Sequence, residues 1–425
     1  MAFVDRIEPM PIHGAVDDDA WGTEAVVPRD TANGIEDSRI PTETHEETLW
    51  SYWGGDVIRE EDTYHMFVAR WPQRHGHHPG WQSDSRVVRA TATDPTGPFT
   101  VEESILSSEE PTSETGEYGH NPEIVEVDGT YGLFLGHSPV DLLTAPSVTG
   151  PWDRHTIELR GGNSDGGFNP AATERGDGSI VLINRNSPYE VYLADTLIGP
   201  YEKVNEDIFP KNAMRVEDPA LWRTENQYHL LANEWSERHG FYMRSPDGIE
   251  WTLEDPSVAF HPDVTRYTDG TETRWYKLER PKVLIEDGVA THLYLAAIDV
   301  PKDEDRPGTN HNSKTLALPL LGPTAVTIQS TDDTLEFGSD ASVVVRVSDD
   351  DVDVDSLRFG SPTAVNYGRG AAPLEAVDED DEVLVTFRLS ETELTSENFV
   401  GKIVGETDTG RLVFGFDRLP NEDSK

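Results

Sequence analysis

Short runs of alternating apolar and polar residues recur along the first three hundred residues, and each is followed by a tight turn and a second run. Two such runs joined by an Asp-Gly type of turn predict a β-hairpin. The hairpin recurs roughly every fifty to sixty residues, a period typical of a β-propeller, whose blades bury their faces against one another. Five copies therefore predict five blades. They begin at Gly54-Gly55-Asp56, Asn121-Pro122-Glu123, Asn169-Pro170-Ala171, Glu217-Asp218-Pro219 and Glu279-Arg280-Pro281.

A second repeat, Gly-Pro followed by an aromatic residue, supports this prediction. Gly-Pro forms a turn, and an aromatic residue after it is suited to cover the outer strand of a blade. We expect these motifs to mark the outer hairpins. They are Gly97-Pro98-Phe99, Gly150-Pro151-Trp152 and Gly199-Pro200-Tyr201.

The pattern divides the chain into three parts. Residues 1–44 form a polar N-terminal arm, residues 45–321 carry the blades, and residues 322–425 contain shorter alternating runs after Gly322-Pro323. The ring of blades is expected to close through the run 314–321 or through the arm. The last part predicts a small Ig-like β-sandwich. The predicted fold class is all-β: a five-bladed β-propeller followed by this C-terminal sandwich.

Composition narrows the possible partners. Acidic residues outnumber basic ones 80 to 34, which gives a net charge of −46 and a pI near 4.4. This charge repels nucleic acids and anionic membranes. The acidic residues are spread over the whole chain, which favours a protein from a halophile, because molar salt shortens the Debye length to about 3 Å and screens self-repulsion. The absence of cysteine excludes disulfides and thiolate chemistry.

The start of the chain has no apolar leader, and no run approaches the length of a membrane-spanning helix. A cytoplasmic location is therefore expected for the chain as given. The sequence leaves the oligomeric state open.

The placement of acidic residues suggests chemistry on the propeller axis. The inner strands of a propeller line a central channel, so the residues that begin them converge on one pocket. We expect Asp56, Glu123, Glu217 and Glu279 to share it, with Asp218 beside them. Glycoside hydrolysis requires such a group: one protonated acid, one ionised base or nucleophile, and neighbours that separate their pKa values. A purely structural alternative is that these polar-Pro pairs only begin strands.

At these residues the chain resembles the five-bladed glycosidases of families 43 and 32, over about residues 47–300. The resemblance implies that Glu123, in Asn121-Pro122-Glu123-Ile124, tunes the pKa of the acid and that Glu217 is the general acid. It places Gly54 where the family has its base Asp. Asp56 lies two residues on, on the same strand face by simple alternation, and could replace that base. Glu279 and Asp218 are the next candidates.

Sugar binding needs aromatic faces and hydrogen-bonding side chains. Trp50, Trp53 and Trp71 flank the first blade strand, and each is also a candidate for the core. The histidines of Arg74-His75-Gly76-His77-His78 could bind zinc or form a polar rim, and Arg70 and Arg74 could admit an acidic sugar. The predicted substrate-binding residues are Trp53, His120, Asn121, Asn169, Arg185, Asp218 and Arg280.

No cofactor is required by this chemistry. The acidic run 349–355 could hold a structural Ca²⁺ ion, because carboxylates supply hard oxygen ligands. The run lacks the Gly and the closing Glu of an EF-hand loop, and a solvated turn is the alternative. The sequence assigns no other metal site.

The leading hypothesis is a glycoside hydrolase that cleaves a terminal bond of a plant or algal oligosaccharide or polysaccharide, with an inverting mechanism favoured. One alternative is a glycoside phosphorylase on the same fold, for which Lys277, Arg280 and Lys282 hint at a phosphate pocket. Another is a carbohydrate-binding propeller without catalysis, which the glycine at position 54 makes plausible. The sugar, the linkage and the anomer are not specified by the sequence.

Overall fold

The fold is taken from a computed structural model of the chain. It describes residues 1–11, 35–36, 50–72, 75–105, 119–136, 141–162, 169–185, 189–206, 208–209, 216–236, 238–305, 313–329, 335–349, 351–379 and 381–420.

The first blade is built from the first copy of the hairpin repeat and the Gly-Pro-aromatic motif that follows it. Its strand order is β1-β5-β4-β3-β2, with β2 innermost and with β1 added parallel to β5. The helix α1 lies between the second and third antiparallel strands. The elements are β1 (Ile35–Glu36), β2 (Trp50–Glu60), β3 (Thr63–Pro72), α1 (His77–Ser83), β4 (Arg86–Ala92) and β5 (Phe99–Ser104).

The second and third blades repeat this meander. The second has the order β6-β7-β8-β9, and the third has the order β10-β14-β13-β12-β11, with β10 parallel to the outer strand β14. The strands are β6 (Pro122–Val127), β7 (Thr130–Leu135), β8 (Asp141–Ala145), β9 (Asp153–Thr156), β10 (Leu159–Arg160), β11 (Pro170–Glu174), β12 (Ile180–Arg185), β13 (Tyr189–Ala194) and β14 (Tyr201–Glu206).

The fourth and fifth blades complete the set. The fourth has the order β15-β16-β17-β18, the fifth has the order β21-β22-β23, and a small hairpin of β19 and β20 lies between them in sequence. The strands are β15 (Val216–Arg223), β16 (Tyr228–Glu234), β17 (His239–Ser245), β18 (Thr252–Phe260), β19 (Thr265–Arg266), β20 (Glu272–Thr273), β21 (Lys277–Glu286), β22 (Val289–Ile298) and β23 (Ser313–Pro319).

The five inner strands form a closed ring. Each of β2, β6, β11, β15 and β21 contacts the next, and β21 contacts β2 again. Between neighbouring blades lies a separate apolar core, for example Phe67 and Val87 of blade 1 against Ile124 and Leu133 of blade 2. Stacking of neighbours is therefore what buries the blade faces. The five-bladed propeller predicted from the repeat is confirmed.

The Gly-Pro-aromatic motifs have the predicted place in their blades. Their glycines, Gly97, Gly150 and Gly199, share a φ of 85–86°. The aromatic residues Phe99 and Tyr201 are fully buried and begin the outer strands β5 and β14. The left-handed turn explains why glycine precedes the proline in every copy.

The first eleven residues are packed and do not form a polar arm. Phe3, Ile7 and Met10 are buried in the core between blades 4 and 5. The backbone of Arg6 pairs with Leu321 at an N···O distance of 2.7 Å, and that of Glu8 pairs with Pro319, the last residue of the outer strand of blade 5, at 2.9 Å. This segment includes the short 3-10 helix Phe3–Arg6.

The C-terminal part forms two sheets with a common core. One sheet has the order β24-β25-β28-β27 and the other β26-β29-β30, and buried residues of both contact one another. The Ig-like topology stays a prediction. The elements are β24 (Val326–Gln329), β25 (Ser342–Val347), the 3-10 helix Val354–Ser356, β26 (Arg358–Gly360), α2 (Pro362–Asn366), β27 (Glu375–Glu379), β28 (Glu382–Arg388), the 3-10 helix Leu389–Glu391, β29 (Val400–Glu406) and β30 (Leu412–Arg418).

No helix in the part of the chain that the structure describes is long and apolar enough to cross a membrane.

Candidate functional site

A cavity of about 1020 Å³ opens where the inner strands begin. Its size suits a saccharide, and its walls combine aromatic, cationic and acidic side chains. All of the lining residues lie between positions 53 and 303, within the propeller. They are Trp53, His77, His78, Trp81, His120, Asn121, Gly136, Asn169, Glu217, Asp218, Trp235, Ser236, Arg238, Tyr276, Lys277, Glu279, Arg280, Pro301, Lys302 and Asp303.

The hairpin repeat explains how these side chains reach the cavity. Each hairpin copy has a proline in its inner strand, or Gly55 at the equivalent position of the first copy. The residue two positions before it lines the cavity in four blades; these residues are Trp53, His120, Glu217 and Glu279. The next residue has a left-handed φ in the same four blades, 66° at Gly54, 48° at Asn121, 56° at Asp218 and 54° at Arg280. Three of these four are not glycine, so the backbone is strained there, a condition common at functional sites.

Asp218 and Arg280 form a buried ion pair at the cavity. Arg280 Nη1 donates to Asp218 Oδ1 at 2.8 Å, and Asn169 Nδ2 donates to the same oxygen at 2.6 Å. Arg280 Nη1 also donates to Asn169 Oδ1. Burial alone would raise the pKa of Asp218, but Arg280 and Asn169 hold it below its ordinary value. Asp218 is therefore an ionised carboxylate that fixed neighbouring side chains orient.

Glu279 lies between two ammonium groups. Lys302 Nζ is 2.5 Å from its Oε2, and Lys277 Nζ forms an ion pair with its Oε1. Each lysine also covers an aromatic ring, because Lys277 Nζ lies 4.5 Å from the centroid of Trp235 and Lys302 Nζ lies 4.6 Å from that of Trp53. The two cations stabilise negative charge on Glu279.

Glu217 differs from these two carboxylates in its exposure. Its side chain is half-buried, whereas Asp218 and Glu279 are almost fully buried. It lines the cavity and is close enough to Lys277 to act on the pKa of that lysine. Of the three carboxylates predicted here from blades 4 and 5, Glu217 is the most accessible to a ligand.

The expectation that all four catalytic candidates share one pocket is wrong. Asp56 and Glu123 line a second cavity of about 630 Å³, formed by residues further along the inner strands. For Asp56 the physical reason is a bulge: the pairing of β2 with β3 shifts between Trp53 and Asp56, where Gly54 has its left-handed φ. An extra residue at a bulge breaks the simple alternation of side chains that placed Asp56 beside position 54.

Asp56 and Glu123 are held in a buried network of their own. Asp56 Oδ2 accepts a hydrogen bond from the backbone N–H of Ile124 at 2.8 Å, and Glu123 forms an ion pair with Lys282. Burial raises the pKa of Asp56 against the opposing effect of Lys282. Burial also lowers the pKa of Lys282 to about 8, although the charge of Asp56 opposes this. These contacts indicate a structural ion cluster.

At Gly54 the cavity differs from the pattern that the family resemblance implies. A Cβ atom built on Gly54 would lie 3.1 Å from Arg280 Nε and 3.3 Å from Arg280 Cβ. The side chain of Arg280, through its Cβ, Cγ and Nε atoms, therefore packs against the residue where the resemblance expects a base Asp. A cation, held by Asp218 and Asn169, lies at this place in the cavity.

The aromatic residues of the cavity form a layered cluster. The ring of Trp81 stacks on His120 at 5.4 Å, and Trp53 meets His77 edge to face at 4.7 Å. His120 Nδ1 is hydrogen-bonded to Ser85 Oγ at 2.7 Å. Trp53 is a cavity residue, as predicted. Trp71 is fully buried in the core, and Trp50 lies under the guanidinium of Arg70 at 4.1 Å, so neither lines the cavity.

The remaining predictions from the sequence concern Arg185, Arg74 and metal binding, including the acidic run 349–355. Arg185 ends β12, but its side chain and the whole of Arg74 lie outside the described residues. In the acidic run, Asp349 Oδ2 pairs with Arg411 at 2.6 Å and Asp353 Oδ1 accepts from the backbone N–H of Asp355 at 3.1 Å. Among the described residues no group of three or more histidine or acidic side chains could hold a metal ion.

The sequence interpretation missed several charged residues of this cavity. Lys302, Arg238 and Asp303 lie in loops outside the repeat, and Lys277 was noted only as a phosphate contact. The sequence contained one signal that could have pointed to the cavity lysines, because the chain has only eight lysines in all. Lys277, Lys282 and Lys302 are three of them, and all three contact acidic side chains of the two cavities.

Comparison with known proteins gives structural matches only. No protein-family model and no curated protein matches the sequence. Zg3597, a family 117 glycoside hydrolase of Zobellia galactanivorans, has a TM-score of 0.45 at 16% identity, over 65% of this chain and 88% of that one. CoXyl43, a family 43 β-xylosidase/α-arabinofuranosidase from a compost metagenome, has a TM-score of 0.46 at 11% identity, over 64% and 92%.

An exo-1,5-α-L-arabinanase from a bovine ruminal metagenomic library has a TM-score of 0.42 at 14% identity, covering 63% of this chain and 92% of that one. The fold assignment rests on the closed ring of inner strands described above.

Proposed function

We propose that the protein is a glycoside hydrolase that cleaves a terminal glycosidic bond in the cavity at the beginning of the inner strands. The observation that carries this proposal is the set of three carboxylates, Glu217, Asp218 and Glu279, in a cavity that also presents the exposed ring of Trp235. Carboxylates in distinct electrostatic environments can divide the acid and base roles, and aromatic faces pack against the C–H face of a sugar.

Glu217 takes the role of general acid. It is the half-buried carboxylate of the three, and a ligand in the cavity can reach it. It donates its proton to the glycosidic oxygen as the bond to the anomeric carbon breaks. The leaving sugar departs as a neutral alcohol, and the negative charge stays on Glu217.

Asp218 is our candidate for the base. Its pKa is held low, so it is ionised, and Asn169 and Arg280 fix its orientation. As an ionised carboxylate it can accept a proton from the attacking water. Glu279 is the alternative, although two lysines already engage its oxygens. Water attack from the face opposite the leaving group inverts the anomeric centre and requires carboxyl groups about 6.5–9.5 Å apart.

The proposal is tested by Glu217→Gln in molar KCl. We expect a panel of plant and algal oligosaccharides to identify a substrate, and the variant to lose about 100-fold or more of kcat on it. Activated dinitrophenyl glycosides of the same sugar should lose much less, because their leaving group needs little protonation. Glu225→Gln, an exposed carboxylate in the turn after β15, is the matched control and should keep full activity. Equal losses on both substrate types would remove the acid role from Glu217.

The base is tested separately. Asp218→Asn should abolish turnover of activated glycosides, and added azide should restore it, because azide attacks without a general base. If Glu279→Gln shows this rescue and Asp218→Asn does not, the base is Glu279.

One observation favours a second function, a carbohydrate-binding propeller without catalysis. Arg280 occupies the space above Gly54, where the family resemblance expects the base. A binding protein would hold the oligosaccharide with unchanged affinity in Glu217→Gln and would release no sugar from any substrate on the panel.

A further inference from the structure

The carboxylates of the cavity lie at different depths. Asp218 and Glu279 are 4% and 2% exposed, whereas Glu217 is half-buried. In the proposed function the terminal sugar lies against the buried carboxylates, and the bond that breaks lies at Glu217. The rest of the saccharide is the leaving group, so it extends from Glu217 toward the open end of the cavity. An accessible aromatic ring on that side of Glu217 would contact the leaving group.

The strand register places Trp235 on that side. Glu217 near the start of β15 lines this cavity, and Glu225 beyond the end of β15 lines the second one. The antiparallel strand β16 therefore runs toward this cavity, and its Asn233 is paired with Glu217. Trp235 comes two residues after Asn233, up to about 7 Å further in the same direction. It is thus nearer to the open end than Glu217.

A ligand can reach the ring of Trp235. The residue is 40% exposed, compared with 3% for Trp53. Lys277 Nζ lies 4.5 Å from the centroid of the ring, so the ammonium group covers one face of it. A ring that lines a cavity and keeps this much accessible surface can pack against the C–H face of a sugar.

Two contacts between cations and aromatic rings hold this part of the cavity in place. Lys277 of blade 5 lies over Trp235, which is in the turn after β16 of blade 4. Arg238 of the same turn lies 4.9 Å from the ring centroid of Tyr276, the residue before β21 of blade 5. Arg238 Nη1 also donates to the backbone carbonyl of Tyr276 at 3.1 Å. The ring is therefore fixed before a ligand binds, which lowers the entropic cost of binding.

Lys277 connects the ring of Trp235 with the acidic groups. Its Nζ forms an ion pair with Glu279 Oε1. Burial lowers the pKa of Lys277, and the charges of Glu279 and Glu217 oppose this effect. One ammonium group thus lies close to Trp235 and to two of the three carboxylates.

We propose that Trp235 forms a leaving-group subsite, in which its ring packs against the C–H face of the second sugar of the substrate. The inference rests on the proposed function for the direction in which the saccharide lies. It adds a substrate class: saccharides in which the group that leaves is itself a sugar, in preference to glycosides of small alcohols.

Trp81 provides a matched comparison. It also lines the cavity and is half-buried, but it lies on α1 of blade 1, and its ring stacks on His120 of blade 2 at 5.4 Å. It is thus on different blades from Glu217. Trp81→Ala removes an indole from another wall of the same cavity.

The test is titration calorimetry in molar KCl with three series of probes: xylose, xylobiose and xylotriose; arabinose, arabinobiose and arabinotriose; galactose, galactobiose and galactotriose. Every variant is made in Glu217→Gln to suppress hydrolysis. In at least one series the disaccharide should bind roughly tenfold more tightly than the monosaccharide, because the second sugar contacts the ring. Adding Trp235→Ala should remove this difference and leave the affinity for the monosaccharide unchanged.

Three further variants sharpen the test. Trp235→Phe keeps a smaller aromatic face, so roughly a threefold difference should remain. It also keeps the test decisive if Trp235→Ala does not fold. Trp81→Ala should leave the ratio of the two affinities unchanged. Tyr367→Ala is the matched control outside the propeller, because Tyr367 is 51% exposed and its ring centroid lies 5.7 Å from Arg369 Cζ. It should bind every probe as the Glu217→Gln background does.

Turnover provides a second readout. In a chain that keeps Glu217, Trp235→Ala should lower kcat/KM on the disaccharide roughly tenfold. On the glycosyl fluoride of the same terminal sugar the change should be less than about twofold, because fluoride has no ring to contact position 235.

The subsite is overturned if no disaccharide binds more tightly than its monosaccharide, or if the difference persists in Trp235→Ala. A difference that depends on Trp81 instead would also overturn it. Calorimetry does not depend on turnover. A chain that binds disaccharides through Trp235 and releases no sugar would keep the site for the second sugar and lose the proposed acid role of Glu217, so the two failures are distinguishable.

Discussion

Gly54 and Arg280 show how one residue without a side chain sets the chemistry of the cavity. A Cβ at position 54 would lie 3.1 to 3.4 Å from three atoms of Arg280, closer than ordinary packing allows. Glycine also accepts the left-handed φ of 66° without strain. The sequence alone indicated an absent carboxylate at this position. The structure adds that the side chain of Arg280 packs against this glycine.

Gly54→Ala measures this contact. The substitution should cost about 1–2 kcal/mol for the left-handed backbone alone, plus the cost of displacing Arg280. Gly288→Ala is the matched control, because Gly288 has a φ of 77° and a Cβ added there would have no atom within 4 Å. Urea unfolding should show a larger loss of stability for Gly54→Ala than for Gly288→Ala. Equal losses would mean that Arg280 moves aside freely.

At the scale of elements, the repeat predicted the blades well and the side-chain directions poorly. Hydrophobic alternation and turn residues are local, so the five hairpins could be recognised in the sequence. The bulges could not, because a bulge depends on pairing with a second strand. That is why Asp56 was expected in the same cavity as Glu217. Lys302 and Arg238 lie in loops, where only the tertiary fold determines proximity.

The contact between blade 4 and the C-terminal sheets is a buried ion cluster. Glu254 on β18 is 2.6 Å from Arg244 Nε and 2.9 Å from Lys402 Nζ on β29. Asn366 Nδ2 donates to the same carboxylate at 2.8 Å. Burial alone would raise the pKa of Glu254, but Lys402, Arg244 and Asn366 lower it to about 2.

This pKa predicts a loss of stability in acid. A carboxylate with a depressed pKa in the folded state contributes stability above its unfolded pKa, near 4.5, and that contribution disappears as the pH falls toward 2. The shift corresponds to about 3 kcal/mol. The difference in unfolding free energy between wild type and Glu254→Gln should therefore shrink as the pH is lowered from 4.5 to 2. The exposed Glu397→Gln is the control. A difference that stays constant over this range would contradict the assignment.

At the scale of the whole molecule, net charge opposes folding. With a charge of −46, repulsion between surface carboxylates acts throughout the chain. At 0.1 M salt the Debye length is about 10 Å, and at 1 M it is about 3 Å. Neighbouring surface charges therefore become nearly independent in molar salt. Salt adaptation is our proposal for this composition.

Thermal unfolding at rising KCl concentration tests that proposal. The melting temperature should rise steeply between 0.1 and about 2 M KCl as repulsion is screened. Circular dichroism in the far ultraviolet is a suitable probe, because β-strands are the main secondary structure of the residues that the structure describes. A melting temperature that does not change with salt would reject salt adaptation.

The most direct test of the central claim is a crystal structure of Glu217→Gln with the saccharide that the substrate panel identifies. We predict a sugar in the cavity beside Trp53 and Trp235, with its glycosidic oxygen within hydrogen-bond distance of the side chain at position 217. A saccharide bound in the second cavity, beside Asp56 and Glu123, or on another surface with position 217 out of reach, would contradict it.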